Sequence, residues 1–268
     1  VRALTDMPKN IDVRAAGTAM RFMTAFLSCR KGEHTLTGTQ RMRQRPIKPL
    51  VDALRYLGAD IEYEAKEGYP PIRIYGKPLY GGRVEMPGSI SSQFISALLM
   101  IGPTLKKGLE LKITGKIASR PYIDLTLCMM REYGAVAEWT DIDTISVKPG
   151  QYNVGPNSIE NDWSAASYWY EMVALARDTT ATVELLGLTP DSLQGDAAIA
   201  ALFERLGVRT TFTDRGLRLD RLPSHHLPER FTCDCVLIPD MAQTLVVTCA
   251  LLRRAFRFTG LASLHIKE

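Results

Sequence analysis

The stretch ELKITGKIASRPYIDLTLCMMREYGAVAEW, Glu110–Trp139, carries the pattern that decides the fold. A strand closes on Gly115, an amphipathic helix runs from Pro121 to a stop at Gly134, and a second strand follows. Glycine just past a helix takes the left-handed conformation at little cost, so Gly134 reads as a helix stop. The same register occurs twice more. IKPLVDALRYLGADIEY, from Ile47, stops at Gly58, and GDAAIAALFERLGVRTTF, from Gly195, stops at Gly207. Their strand-closing glycines are Gly38 in HTLTG and Gly187 in TVELLG, and a fourth copy opens in FRFTGL at Gly260. Successive strand-closing glycines lie 77, 72 and 73 residues apart. Ile47, Leu50, Val51, Leu54 and Leu57 recur at helical spacing, as do Ile199, Leu202, Phe203 and Leu206. Pro46 and Pro121 stand at helix starts, where a missing N–H costs nothing.

Before each of these strands lies a more apolar helix: GTAMRFMTAFLSC, SSQFISALLMIG, SAASYWYEMVALA and MAQTLVVTCALL. The repeating unit is therefore apolar helix, strand, amphipathic helix, then two or more strands. The fold class is α/β, with the apolar helices packed inside among their copies and the sheets outside. Residues 145–163, ISVKPGQYNVGPNSIENDW, are rich in Gly, Pro, Asn and Ser and read as a crossing between domains. The expected division falls near residue 158, giving domains 1–158 and 159–268.

Composition narrows the function. Apolar residues make 46% and charged residues 23% of 268, a globular balance that excludes disorder as the main theme. The net charge of +4 comes from 33 bases spread among 29 acids, which forms no basic stripe for nucleic acid. The longest apolar runs fall far short of the roughly 18 to 20 residues of a membrane span. The opening VRALTDMPKNIDVR has no apolar signal core. Five scattered cysteines suggest a reducing cytoplasm rather than a disulfide framework. Cys233 and Cys235, near His225 and His226, read as packing residues, because zinc sites use wider spacing than C-x-C. The missing initiator Met and the bare end LHIKE read as cuts, so a fragment of a longer protein is expected.

Polar residues gather where the apolar helices begin. Thr18 follows Gly17; Ser91, Ser92 and Gln93 open the second helix; Asp162, Ser164 and Ser167 the third; Asp240, Gln243 and Thr244 the fourth. Each alone reads as a cap. Four equivalent sites together read as an anion pocket, because helix N-termini carry free N–H groups and positive partial charge. QRMRQRP adds Arg41, Arg43 and Arg45, and ASRPY puts Ser119 and Arg120 at the equivalent corner. The guanidinium fork suits carboxylate and phosphate, and Arg45, fixed beside Pro46, is the strongest candidate. Tyr122 reads equally as a ligand contact or a core ring; Trp163 and Trp169 read as core or interface. No Walker loop or G-x-G-x-x-G follows a strand, which leaves nucleotide binding unsupported. The residues thus point to a cleft for a small, multiply anionic ligand, with Asp240, Lys267 and Glu268 as acid–base candidates.

AAGTAMR, LTGTQRMRQRPIKPLVDALRYLGA, GSISSQFISALLM, ASRPYIDLTL and the closing IKE resemble, in order and spacing, the 5-enolpyruvylshikimate-3-phosphate synthase family. The resemblance runs over nearly the whole chain and is weakest through residues 140–235. It implies two inverted half-barrel domains, each of three βαβαββ units and each incomplete here. It also implies transfer of the enolpyruvyl group of phosphoenolpyruvate to the 5-hydroxyl of shikimate 3-phosphate, with release of phosphate and with no cofactor or metal. By motif, Ser91, Ser92, Gln93, Ser119, Tyr122 and Lys267 would hold shikimate 3-phosphate, and Gly17, Arg45 and Gln93 would face phosphoenolpyruvate. Asp240 would take the proton of the 5-hydroxyl, and Glu268 would move a proton at the methylene carbon. The expected partners are these two small molecules, without nucleic acid or membrane, for a cytoplasmic monomer.

The chain departs from that family at Arg14 and Ala15, where Gly-Asn is usual, and at Phe22, where many members have Pro. Ser263 replaces a usual Asn, and END-W replaces EGD-A around Asp162. The family's N-terminal Lys-Ser segment and the basic residues after its KE motif are missing, so the 268 residues alone are expected to be inactive. Within the fold, a UDP-N-acetylglucosamine enolpyruvyl transferase would lack SSQF and SRPYID. A scaffold of the same fold, or a degenerate relative marked by Arg14 and Ala15, is the alternative of another class.

Overall fold

The computed structural model describes residues 8–117, 120–153, 155, 159–222, 227–262 and 264. Its first repeat runs β1 (Asn10–Asp12), α1 (Gly17–Ser28), β2 (Gly32–Thr37), α2 (Lys48–Tyr56), β3 (Asp60–Tyr63) and β4 (Ile72–Gly76). Its second runs β5 (Gly82–Pro87), α3 (Ser92–Ile101), β6 (Leu109–Thr114), α4 (Arg120–Glu132), β7 (Ala137–Asp141) and β8 (Thr144–Val147). Both are βαβαββ units with one topology: the sheets are ordered β1-β2-β4-β3 and β5-β6-β8-β7. In each, the first two strands are parallel and the remaining pairs antiparallel. A parallel pair needs a crossover, and the apolar helix supplies it.

The third repeat holds α5 (Trp163–Leu175), β9 (Thr182–Leu186), α6 (Ile199–Glu204), β10 (Val208–Thr213) and β11 (Gly216–Arg221), with sheet order β10-β11-β9. The fourth holds β12 (Arg230–Asp234), α7 (Ala242–Leu251) and β13 (Ala255–Thr259), and β12 pairs β13 in parallel. A hydrogen bond closes a similar corner in each repeat, accepted by the residue before the strand-closing glycine in three of them and by the glycine itself in the third repeat. Val13 N–H donates to Thr37 O at 3.0 Å, Gly88 to Thr114 at 2.7 Å, Asn161 to Gly187 at 2.8 Å and Cys235 to Thr259 at 2.8 Å. The helix stops are as expected. Gly58, Gly134 and Gly207 have φ of +101°, +84° and +88°, a region that side-chain-bearing residues enter only at a cost.

By contacts the chain divides into two compact units. The first takes residues 8–117 and 123–155; the second takes 159–264 together with 120–122, the first turn of α4. Each has its own core. In the first, α1 packs on α3, and the α2 stripe of Ile47, Leu50, Val51, Leu54 and Leu57 is buried as its spacing requires. In the second, α5 packs on α7, and Ile199, Phe203 and Leu206 of the third repeat are buried.

Two features differ from the sequence reading. The helix read from Gly195 opens as a 3-10 turn, Gly195–Ala198, before α6 begins at Ile199. Tyr168, Trp169 and Met172 of α5 and Val247 and Leu251 of α7 are exposed, although the apolar helices are expected from the sequence to be buried among their copies. Both are apolar almost all round, and packing on each other covers only one face of each. Trp163 is core; Trp169 is not.

Candidate functional site

In the first unit the chemistry gathers where α1 begins. Ala16 is the N-cap, no side chain bonds the first-turn N–H groups, and no acid lies in that turn. The positive end of the helix is therefore uncompensated. Arg21, one turn on and 4% exposed, folds back so that its Nη1 donates to the Gly17 carbonyl at 2.9 Å. Its guanidinium also lies 5.1 Å from the centroid of the Phe94 ring in α3. Arg45 reaches the same point. A Cβ on Gly17 would lie 2.8 Å from Arg45 Nη1 and 2.9 Å from Arg21 Nη1, so only glycine leaves room for both.

Two guanidiniums this close repel each other. Burial first, and then the charge of Arg45, bring Arg21 down to about 10. The Nε atoms of Arg21 and Arg45 are buried and without a hydrogen-bond partner among the described residues. No carboxylate among those residues forms an ion pair with either arginine. Such a pair at an uncapped helix N-terminus favours an anion. Arg43, from the same loop, turns away and donates its Nε to Gly38 O at 3.1 Å.

The opening of α3 continues this region. Ser91 is its N-cap and accepts the Gln93 N–H at 3.5 Å, a long contact; Ser92 is 8% exposed and Gln93 half-buried. Arg21, resting on the ring of Phe94, ties the first turn of α1 to the residue after Gln93. Capping by the polar openings holds for Ser91 and Asp162; α1 and α7 begin without a side-chain cap. Arg14 stands where the family resemblance expects Gly, and its φ is +52°. Asp12 Oδ1 accepts the Arg14 N–H at 2.7 Å and the Thr39 N–H donates to Arg14 O at 3.1 Å, which hold that left-handed turn in place.

In the second unit Tyr122 and Asp240 come together around a residue the sequence reading passed over. Asp196, in the 3-10 turn before α6, is fully buried. Its Oδ2 accepts the Ser164 hydroxyl, and the Tyr122 phenol bonds the same carboxyl. Asp240, in the 3-10 turn Pro239–Met241, adds its charge to the environment of both. Burial pushes the Asp196 carboxyl up, and the charges of Asp240 and Asp162 add to this. Burial, then the charge of Asp196, raises the Tyr122 phenol well beyond the ordinary tyrosine range, so it stays protonated.

Glu160 braces this cluster. Its Oε1 accepts from Trp163 Nε1 at 2.8 Å, Thr189 N at 3.0 Å and Thr189 Oγ1 at 3.1 Å. Its Oε2 accepts from Ser192 Oγ at 2.6 Å and Gln194 Nε2 at 3.0 Å. Gln194 Oε1 in turn accepts the Trp163 N–H at 3.0 Å, and Asp162 Oδ1 caps α5 through the Ser164 N–H at 2.8 Å. The sequence holds only weak hints of these two, the polar turn SLQGD before Asp196 and the i, i+4 spacing of Arg21 from Gly17, and neither is distinctive.

Ser119, Lys267 and Glu268 lie outside the described residues, as do Ser263, His225 and His226. Among those described, no three of His, Cys, Asp and Glu gather in a form that could hold a metal. Burial pushes the Cys235 thiol up to about 12, and Cys233 is raised for the same reason, which suits packing rather than ligation. A groove of about 780 Å³ between α2 and β5, lined by Lys48, Asp52, Tyr56, Arg83 and Glu85 among others, contains none of the candidate residues. No helix among the described residues is long and apolar enough to cross a membrane.

Comparison with known proteins adds the following. A sequence-family model described as EPSP synthase (3-phosphoshikimate 1-carboxyvinyltransferase) matches residues 2–268. A 3-phosphoshikimate 1-carboxyvinyltransferase of Bacteroides fragilis is 56% identical over 268 residues, covering 100% of this chain and 64% of its own. One from Tolumonas auensis is 37% identical over 265 residues, covering 97% and 60%. Among solved structures, an EPSP synthase from Acinetobacter baumannii superposes with a TM-score of 0.66 at 24% identity, covering 91% of this chain and 55% of that one. The enolpyruvyl transferase NikO from Streptomyces tendae gives 0.61 at 16% identity, covering 88% and 55%. The chain thus spans less than two thirds of the length of these relatives.

Proposed function

Since the chain belongs to the EPSP synthase family, we propose that its protein transfers the enolpyruvyl group of phosphoenolpyruvate to the 5-hydroxyl of shikimate 3-phosphate and releases phosphate. The observation that carries this reading is the anion-seeking pair, Arg21 and Arg45, at the uncapped start of α1. Gly17, Arg45 and Gln93 face phosphoenolpyruvate. Ser91, Ser92, Gln93, Ser119, Tyr122 and Lys267 hold shikimate 3-phosphate. Glu268 delivers a proton to the methylene carbon, and the C2 cation that develops is attacked by the 5-oxygen as Asp240 takes its proton. The tetrahedral ketal then loses phosphate from C2 and a proton from the methyl group, which restores the double bond. Cations around both phosphate groups stabilise the charge that builds on the leaving group. The sequence needs no cofactor and no metal, because every proton has a side chain to move it.

On this reading the protein is a cytoplasmic monomer acting on two small molecules, with two domains dividing near residue 158. A second reading, a degenerate relative of the same fold, draws on Ala15, which lacks the polar side chain usual at that position. One experiment separates them. Phosphate release by the full-length gene product should require both substrates and should fall by about 10² to 10⁴-fold in Asp240→Asn, the range for loss of a general base. A folded protein that releases no phosphate with both substrates would overturn the proposal. The 268-residue chain assayed alone should release none; turnover by it would overturn the expectation of inactivity.

A further inference from the structure

A buried carboxyl outside the proposed chemistry carries the next step. Asp196 is 0% exposed, and its Oδ1 has no hydrogen-bond partner among the described residues. Asp162 and Asp240 bring like charge to it. A carboxyl in this setting is unfavourable for folding, and an apolar or amide side chain would fill the space at lower cost. What it does make is specific. It accepts the Ser164 hydroxyl at the first turn of α5 and bonds the phenol of Tyr122 at the first turn of α4.

The support around it is built from several directions. Glu160 gathers donors from Trp163, Thr189, Ser192 and Gln194, which fixes the chain immediately before Gly195 and Asp196. Gln194 also donates its Nε2 to Asn161 O at 2.8 Å. At Gly195 a Cβ would lie 3.0 Å from the Cβ of Pro121, so the turn sits tightly against the residue that precedes Tyr122. Groups held within tenths of an ångström by a second layer of contacts are what precise ligand placement requires.

We propose that Asp196 is a positioning residue: its buried carboxyl, braced by the Glu160 network, fixes the Tyr122 hydroxyl and the first turn of α5 for binding shikimate 3-phosphate. The inference rests on the proposed function, which gives Tyr122 to that substrate. Asp196 itself touches neither substrate in this scheme. Its removal frees the Tyr122 phenol to rotate and lowers affinity for shikimate 3-phosphate while leaving phosphoenolpyruvate binding in place.

The test uses the full-length gene product, with phosphate release as readout and Asp196→Ala, Asp196→Asn, Tyr122→Phe and the corresponding double variants. Asp196→Ala should raise KM for shikimate 3-phosphate about tenfold, the effect of one lost hydrogen bond to a charged group. KM for phosphoenolpyruvate should stay within twofold. In the Tyr122→Phe background the same change should add clearly less, leaving only the share carried through Ser164 and the first turn of α5. Asp196→Asn keeps an acceptor oxygen and should recover most of the loss. Equal losses in both backgrounds, or equal rises in both KM values, would overturn the proposal. A wild-type protein that turns over no substrate removes the proposed function instead. The Asp196–Tyr122 link is then decided by NMR of isotope-labelled Tyr122 in the 268-residue chain. Asp196→Asn should shift the Tyr122 ring resonances, and unmoved resonances would refute the link. That measurement also serves should Asp196→Ala fail to fold.

Discussion

At Gly17 a single hydrogen in place of a methyl group decides what can approach the start of α1. The two arginine Nη1 atoms lie 2.8 and 2.9 Å from where a Cβ would stand, inside any normal contact distance. Gly17→Ala must therefore push one guanidinium aside, and Arg21 is the less able to yield, being buried against the Phe94 ring and bonded to Gly17 O. Arg45 should move. The expected result is a rise of about tenfold in KM for phosphoenolpyruvate in the full-length gene product, as one charge-assisted contact weakens. KM for shikimate 3-phosphate should change little, and steady-state kinetics with each substrate varied in turn would show it. An unchanged KM for phosphoenolpyruvate would mean that Arg45 does not hold it. Gly17 and Arg45 were legible in the sequence because their motif and their place at a helix start carry meaning without coordinates. Arg21 and Asp196 were not. An arginine inside an apolar helix and an aspartate at a helix start both have ordinary explanations. Only burial, a folded-back guanidinium and an unpartnered carboxyl oxygen set them apart.

Among the elements, the repeated helices and strands were readable because glycine marks their ends and apolar spacing marks their faces. Capping was less readable, since the same polar residues that cap α3 and α5 leave α1 and α7 uncapped. The turn between β9 and α6 was read as plain helix start, yet Glu160 organises it from outside. This makes the turn pH-sensitive with a definite sign. Burial raises the Glu160 carboxyl, but the bonds from Ser192, Thr189 and Trp163 outweigh it and hold the group below its ordinary value of 4.5. A carboxyl lowered in the folded state contributes stability that is fully present above the unfolded value and is lost as pH falls through the folded one. Glu160→Gln should therefore lower the melting temperature most at pH 6 to 7, and its deficit should shrink steadily below about pH 4. Thermal melts of the 268-residue chain and the variant across that range would check it, because carboxylates common to both cancel in the difference. A deficit that stays constant down to pH 3 would show that the charge on Glu160 does not matter to the turn.

For the molecule as a whole, the two separate cores matter more than the count of repeats. Leu54 and Phe203 are each fully buried, one in each core. Their truncation leaves cavities that their neighbours cannot close, at a cost of about 2–5 kcal/mol for Leu54→Ala and about 3–5 kcal/mol for Phe203→Ala. Whether the chain unfolds in one step or two depends on how strongly the units are coupled, and cores that share no side chains favour two cooperative transitions. Calorimetry of the 268-residue chain should then show two components. Leu54→Ala should depress one by roughly 10 °C and leave the other in place, and Phe203→Ala should do the converse, given a few degrees per kcal/mol for units of this size. A single transition shifted equally by both substitutions would mean that the units fold as one cooperative body. The sequence pointed toward two parts through its Gly- and Pro-rich stretch at residues 145–163. It could not show that the first turn of α4 groups with the second unit, where Tyr122 bonds Asp196, 74 positions away. The selective loss of one transition is thus the direct thermodynamic reading of a division that local sequence only suggests.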